Sequence, residues 1–105
     1  MITVRLEKAL GHTHHLRLAI AKLSRWVGES DTPAADKPGY QARIAEHEKL
    51  VQVYQAHWRL ASADEKELAQ AKLKADDAAR AKADGRAQGE YTDQVIADTI
   101  AFLEG

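Results

Sequence analysis

Three histidines, His12, His14 and His15, lie within four positions of one another, in a chain of 105 residues that has five in all. On a helix, His12 and His15 are three apart and share a face, so both imidazoles could reach one ion. A third donor follows from the organisation of the chain. If residues 27 and 40 flank a helical hairpin, residues facing each other have numbers summing to about 67. His57 then lies opposite Leu10, within about one turn of His12. Imidazoles without a thiolate suit zinc, nickel or copper, so His12, His15 and His57 form a candidate site for a divalent transition metal such as zinc. The plainer reading is that histidines beside a helix seam are partly exposed and hydrogen-bonded. That reading is preferred, with the metal site as the alternative. The same residues could also make a pH-sensitive contact.

Other chemistry is hard to find. There is no Glu-x-x-His pair of the di-iron type and no His-Glu-x-x-His. Glu46-His47-Glu48 resembles a ligand set in one dimension, but on a helix the three side chains point about 100° apart. None of Ser24, Ser30 and Ser62 lies in a strained turn beside a histidine and an acid, and glycine-rich phosphate loops are absent. Asp76-Asp77 reads as the solvated face of an alanine-rich helix. His47 falls on a seam between Ile44 and Val51, where a polar residue can fix register at some cost in stability. A non-enzymatic protein is the expectation.

The elements that must position these residues are helices. Leu6, Ala9, Thr13, Leu16, Ile20, Leu23 and Val27 recur at intervals of three and four, predicting a helix over about 3–27 that continues through Gly11. Gly28, Pro33 and Pro38 mark a loop over 28–38, with Asp36 as the cap of the next helix. Tyr40, Ile44, His47, Val51, Tyr54, Trp58 and Ala61 repeat the spacing over 39–61. Trp26 and Tyr40 should meet near the loop, and Trp58 should pack near Leu6 and Ala9. Ser62 and Glu65 have capping-box spacing and could start a new helix over 63–84. Continuity with 39–61, or a slight kink, is the favoured reading. Leu68, Ala71, Ala75 and Ala78 form the expected seam of that segment. A last helix over 91–103 carries Tyr91, Val95, Ile96, Ile100, Phe102 and Leu103. The fold expected is all-α: an antiparallel helical hairpin or coiled coil plus a C-terminal helix, in one small bundle.

Alanine makes up much of the 45% hydrophobic content, so the core is thin in large side chains. A second copy or another protein is the expected partner, through Leu16, Ile20, Leu23, Val51, Tyr54 and Trp58 of the hairpin. Ile96, Ile100, Phe102 and Leu103 are expected to be offered to another chain. Residues 1–27 hold Arg5, Lys8, Arg17, Lys22 and Arg25 against Glu7, whereas residues 86–105 hold Arg86 against Glu90, Asp93, Asp98 and Glu104. Attraction between the two ends explains this better than a phosphate-binding face, so nucleic acid is the minor alternative. No apolar run approaches the roughly 20 residues of a membrane span, and none near Met1 has signal-peptide length. With no cysteine, a cytoplasmic protein is expected.

Overall fold

The computed structural model describes residues 5–105, so the first two positions of the expected 3–27 helix lie outside it. Four helices follow in order: α1 (Leu6–Gly28), α2 (Lys37–Leu60), α3 (Ala63–Ala83) and α4 (Asp93–Glu104). The described residues form a small all-helical bundle without strands. None of its helices is long and apolar enough to cross a membrane.

The two ladders become the hairpin. Ala9, Thr13, Leu16 and Leu23 of α1 are buried against α2, where Val51 and Trp58 are buried. Trp26 and Tyr40 meet beside the loop at 5.5 Å between ring centroids, and His12 reaches Tyr54 at 2.7 Å. Both pairs lie within one residue of the expected register. Glu7 in the first turn and Arg25 in the last oppose the helix dipole of α1. Asp36 does precede α2, but its side chain makes no capping bond. Pro38 occupies the opening turn instead, and the Tyr40 amide donates to the Asp36 carbonyl at 3.2 Å.

The 39–84 segment is not one helix. Ala61 and Ser62 are extended, with ψ of 150° and 163°, and the chain turns there. The Glu65 amide donates to the Ser62 hydroxyl at 3.2 Å, and the Ser62 amide donates to the Glu65 carboxylate at 3.3 Å. This reciprocal capping satisfies donors that a fresh helix start would otherwise leave bare. Freed from α2, α3 runs alongside α1 in the same direction. Lys72 pairs with Glu7 at 3.2 Å, and Leu73 packs over Gly11. A Cβ at Gly11 would stand 3.1 Å from both Leu73 and the Tyr91 hydroxyl, so the glycine permits the close approach.

The seam of α3 also differs from expectation. Leu68 is 69% exposed, and Ala71, Ala75 and Ala78 are exposed, while Ala69, Leu73, Asp77 and Ala81 face inward. In a segment where alanine occurs at almost every phase, spacing does not select the stripe. Gly85 at φ 72° ends α3: the Arg86 amide donates to the Ala81 carbonyl at 2.8 Å and the Gly85 amide to Lys82 at 3.2 Å. After the 84–92 connection, Thr92 caps α4 through the Val95 amide. Helix α4 packs on α1 and α2, and two ion pairs link it to α3, Asp93 with Lys74 and Glu104 with Lys66.

All four helices meet around Leu10, Trp58, Ala69, Leu73, Ile96 and Leu103, with Leu6, Tyr54, Tyr91 and Ile100 packed against them. This cluster lies at the end of the hairpin away from its loop. One polar group in the α1 seam is unmatched: Thr13 is fully buried and its hydroxyl has no partner among the described residues. Replacing it by an isosteric methyl removes a buried, unsatisfied group. Thr13→Val is therefore expected to raise stability by about 1 kcal/mol, read from urea unfolding.

Candidate functional site

His12 and His15 open into a cleft of about 390 Å³ between α1 and α3, closed by Tyr54 of α2 and by Tyr91, whereas His14 lines a separate concavity beside α4. Helix α1 supplies Glu7, Lys8, Gly11, His12 and His15; helix α3 supplies Leu73, Asp76, Asp77 and Arg80. His12 and His15 share a face of α1 as their spacing requires, but each has a partner of its own. His12 Nδ1 shares its hydrogen bond with the Tyr54 hydroxyl, and His15 Nε2 lies 3.4 Å from the Glu90 carboxylate. His14 and His15 both set their rings edge-on to Tyr91, at 5.8 Å.

His57 does not join them. It is exposed and does not line the cleft, because the inward place at that level of α2 belongs to Trp58, one residue on. Among the described residues no three histidine, cysteine or carboxylate side chains stand close enough to hold a metal ion. His12, His15 and His57 are thus not assembled as a ligand set.

The residue that sequence reasoning missed is Asp77. Read as part of a solvated acidic pair, it is only 6% exposed. Its two carboxylate oxygens accept from the backbone amides of Glu90 at 3.0 Å and Tyr91 at 2.9 Å. Tyr91 in turn donates its hydroxyl to the Gly11 carbonyl at 3.2 Å. Asp77 and Tyr91 thereby tie the connection before α4 to both α3 and α1. Gly89 makes this possible, since a Cβ there would collide with the Asp77 carboxylate. The four-residue interval from Ala69 through Leu73 and Asp77 to Ala81 was the available signal. A charged residue in the third position disguised it.

Burial sets the protonation tendencies of the cleft. Desolvation lowers the pKa of His12, and positive charge at His15 and His47 lowers it further. Desolvation also lowers His14, helped by His15 and Arg17 and opposed by Glu90. Tyr54 and Tyr91 are raised, chiefly by burial, so both hydroxyls stay protonated through neutrality. Burial pushes Glu7 upward, but its backbone hydrogen bond and Lys72 outweigh this and leave its pKa lowered.

A second concavity lies where α4 meets the hairpin. Ile20, Ala21, Val51 and Phe102 form the apolar part of a groove of about 380 Å³, bordered by Arg17, Glu48, Gln52 and Gln55. The Arg17 guanidinium lies 4.4 Å from the Phe102 ring centre. On the other side of Phe102, Leu18 borders a neighbouring concavity with Val95 and Ala101, and is 56% exposed.

The expected interface residues divide accordingly. Leu16, Leu23, Val51 and Trp58 are buried within the chain, as are Ile96 and Leu103 of α4. Helix α4 therefore turns Ile96 and Leu103 into the bundle core. Ile20, Tyr54, Ile100 and Phe102 are half-buried. Arg17 covers Phe102, Lys22 lies over Trp26, Arg25 pairs with Glu29 at 3.5 Å, and Lys8 borders the cleft.

No family model matches the chain, and no curated protein or solved structure is detectably similar to it.

Two outcomes test the cleft. Asp77→Ala strands two backbone amides and is expected to cost about 3 kcal/mol in urea unfolding, with Gly89→Ala also destabilising; values near zero for both would contradict the anchoring role. The second concerns pH. The folded state binds protons at His12 and His14 less readily than the unfolded chain, whose histidines titrate near 6.5. Their contribution is therefore complete above that value and falls as pH drops through it toward the lowered folded values. Melting temperature measured from pH 8 to 5 should decline, and the His12→Gln, His14→Gln double variant should flatten that decline. Loss linked to Glu7 belongs to a separate window, below 4.5.

Proposed function

We propose that this chain is a non-enzymatic helical assembly protein that packs its α1–α2 hairpin against a helix of a second copy. The observation that carries the reading is the apolar groove at the end of α4. The four-helix core gathers around Leu10 and Trp58, at one end of the hairpin. Towards the loop, α1 and α2 continue with Leu16, Leu23 and Val51 buried. Beside that stretch, Ile20 and Phe102 are half-buried and Leu18 is largely exposed. A helix laid along this groove would cover apolar surface that the chain's own helices leave open.

A second copy suits the groove because of its charges. Arg17 belongs to α1 and Glu48 to α2, and neither has a salt-bridge partner among the described residues. A patch with one cation on one wall and one anion on the other is self-complementary under two-fold symmetry. The thin core supports the same reading. The buried hydrophobic set includes Ala9, Ala69 and Ala81, each of which removes little apolar area from water.

Light scattering over a concentration series is the direct test. The scattering mass should rise above the 11.6 kDa of one chain as concentration increases. Ala21→Arg, which places a charge in the groove at an exposed position, should abolish the rise while leaving helical circular dichroism intact. A mass fixed at one chain up to about 1 mM would overturn the proposal.

A further inference from the structure

The cleft beside the histidines is a separate concavity from the assembly groove, and its charges are unevenly satisfied. Glu7 is paired with Lys72, and both oxygens of Asp77 are taken by backbone amides. Glu90, at the edge, faces His15 at 3.4 Å and Arg86 at 3.9 Å. Lys8 on the α1 wall and Arg80 on the α3 wall have no carboxylate within salt-bridge distance among the described residues. Asp76, one helical turn before Arg80 on the same α3 wall, is the one lining carboxylate without a partner among the described residues.

The rest of the lining is apolar or neutral. Leu73 and the unsubstituted Gly11 meet between the two helices, and Tyr54 and Tyr91 present rings whose hydroxyls are already engaged by His12 and by the Gly11 carbonyl. A volume near 390 Å³ lies within the range of small-molecule sites, roughly 300–1,000 Å³. Cations held on opposite walls with aromatic and aliphatic surface between them recognise a charged head on a flat body. An arginine fork matches the paired oxygens of a carboxylate or phosphate, and a lysine adds a point charge.

We propose that this cleft binds a small organic anion, its carboxylate or phosphate held between Lys8 and Arg80 and its flat apolar body against Leu73, Tyr54 and Tyr91. The site is independent of the assembly groove and requires no second copy.

The test is a two-dimensional amide NMR titration of the full chain with four probes: benzoate, phenyl phosphate, inorganic phosphate and benzylamine. Benzoate or phenyl phosphate should shift the amides of Gly11, His12 and Tyr91 in a saturable way, and benzylamine should not. Whichever aromatic anion binds more tightly assigns the head group as carboxylate or phosphate. The Lys8→Gln, Arg80→Gln double variant should bind at least about tenfold more weakly. Both side chains are exposed, and circular dichroism reports whether the variant keeps its fold. Should it unfold, the unmodified chain still decides, because binding must weaken as sodium chloride rises from about 0.05 to 0.5 M. Three results would each overturn the proposal: no saturable shift by either aromatic anion at about 10 mM, equal binding of benzylamine, or inorganic phosphate binding as tightly as both aromatic anions.

Discussion

The bundle depends on the burial of one indole. Trp58 is fully enclosed, and the core cluster that contains it draws Leu10 from α1, Ala69 and Leu73 from α3, and Ile96 and Leu103 from α4. Its ring nitrogen donates to Glu104 at 3.2 Å, and the same carboxylate pairs with Lys66, which also lies 5.7 Å from the indole ring centre. An interior side chain of this size contributes about 3–5 kcal/mol, against a total of about 5–15 kcal/mol for a typical domain. In a chain with two tryptophans and one phenylalanine, no other core residue offers comparable volume. The turn at Ala61–Ser62 and the return of α4 both bring helices to this side chain.

Elsewhere, small residues let helices approach closely where large side chains are lacking. Gly11 admits Leu73 and the Tyr91 hydroxyl, and Ala69 and Ala81 bring α3 close to its neighbours. Close packing of this kind gains dispersion contacts in place of transferred area. It also desolvates the polar groups beside it. The lowered His12 and His14 and the raised Tyr54 and Tyr91 are the electrostatic trace of that packing.

The hairpin was legible in the sequence because Leu16, Leu23, Val51 and Trp58 are large and recur with helical period. Their spacing alone placed Trp26 against Tyr40. The break at Ser62 was legible as a motif, yet continued apolar spacing argued for one long helix. Local capping together with the packing of α3 on α1 decided otherwise. Legibility failed where side-chain size carried no information: the inward stripe of α3 could not be chosen among alanines, and Asp77 looked like surface. His57 shows another limit. Hairpin register fixed its level but not its direction, and one residue of helix is a rotation of about 100°.

Asp77 recognises backbone amides rather than side chains. The identity of residue 90 is therefore immaterial to the anchor, which any non-proline residue there would satisfy. Position 89, by contrast, admits no side chain without displacing the carboxylate. Among related chains this connection would show an invariant glycine followed by a neighbour whose side chain the anchor itself does not constrain. Such a footprint, with Asp77 retained thirteen residues before position 90, would let this fold be traced where overall sequence likeness has vanished.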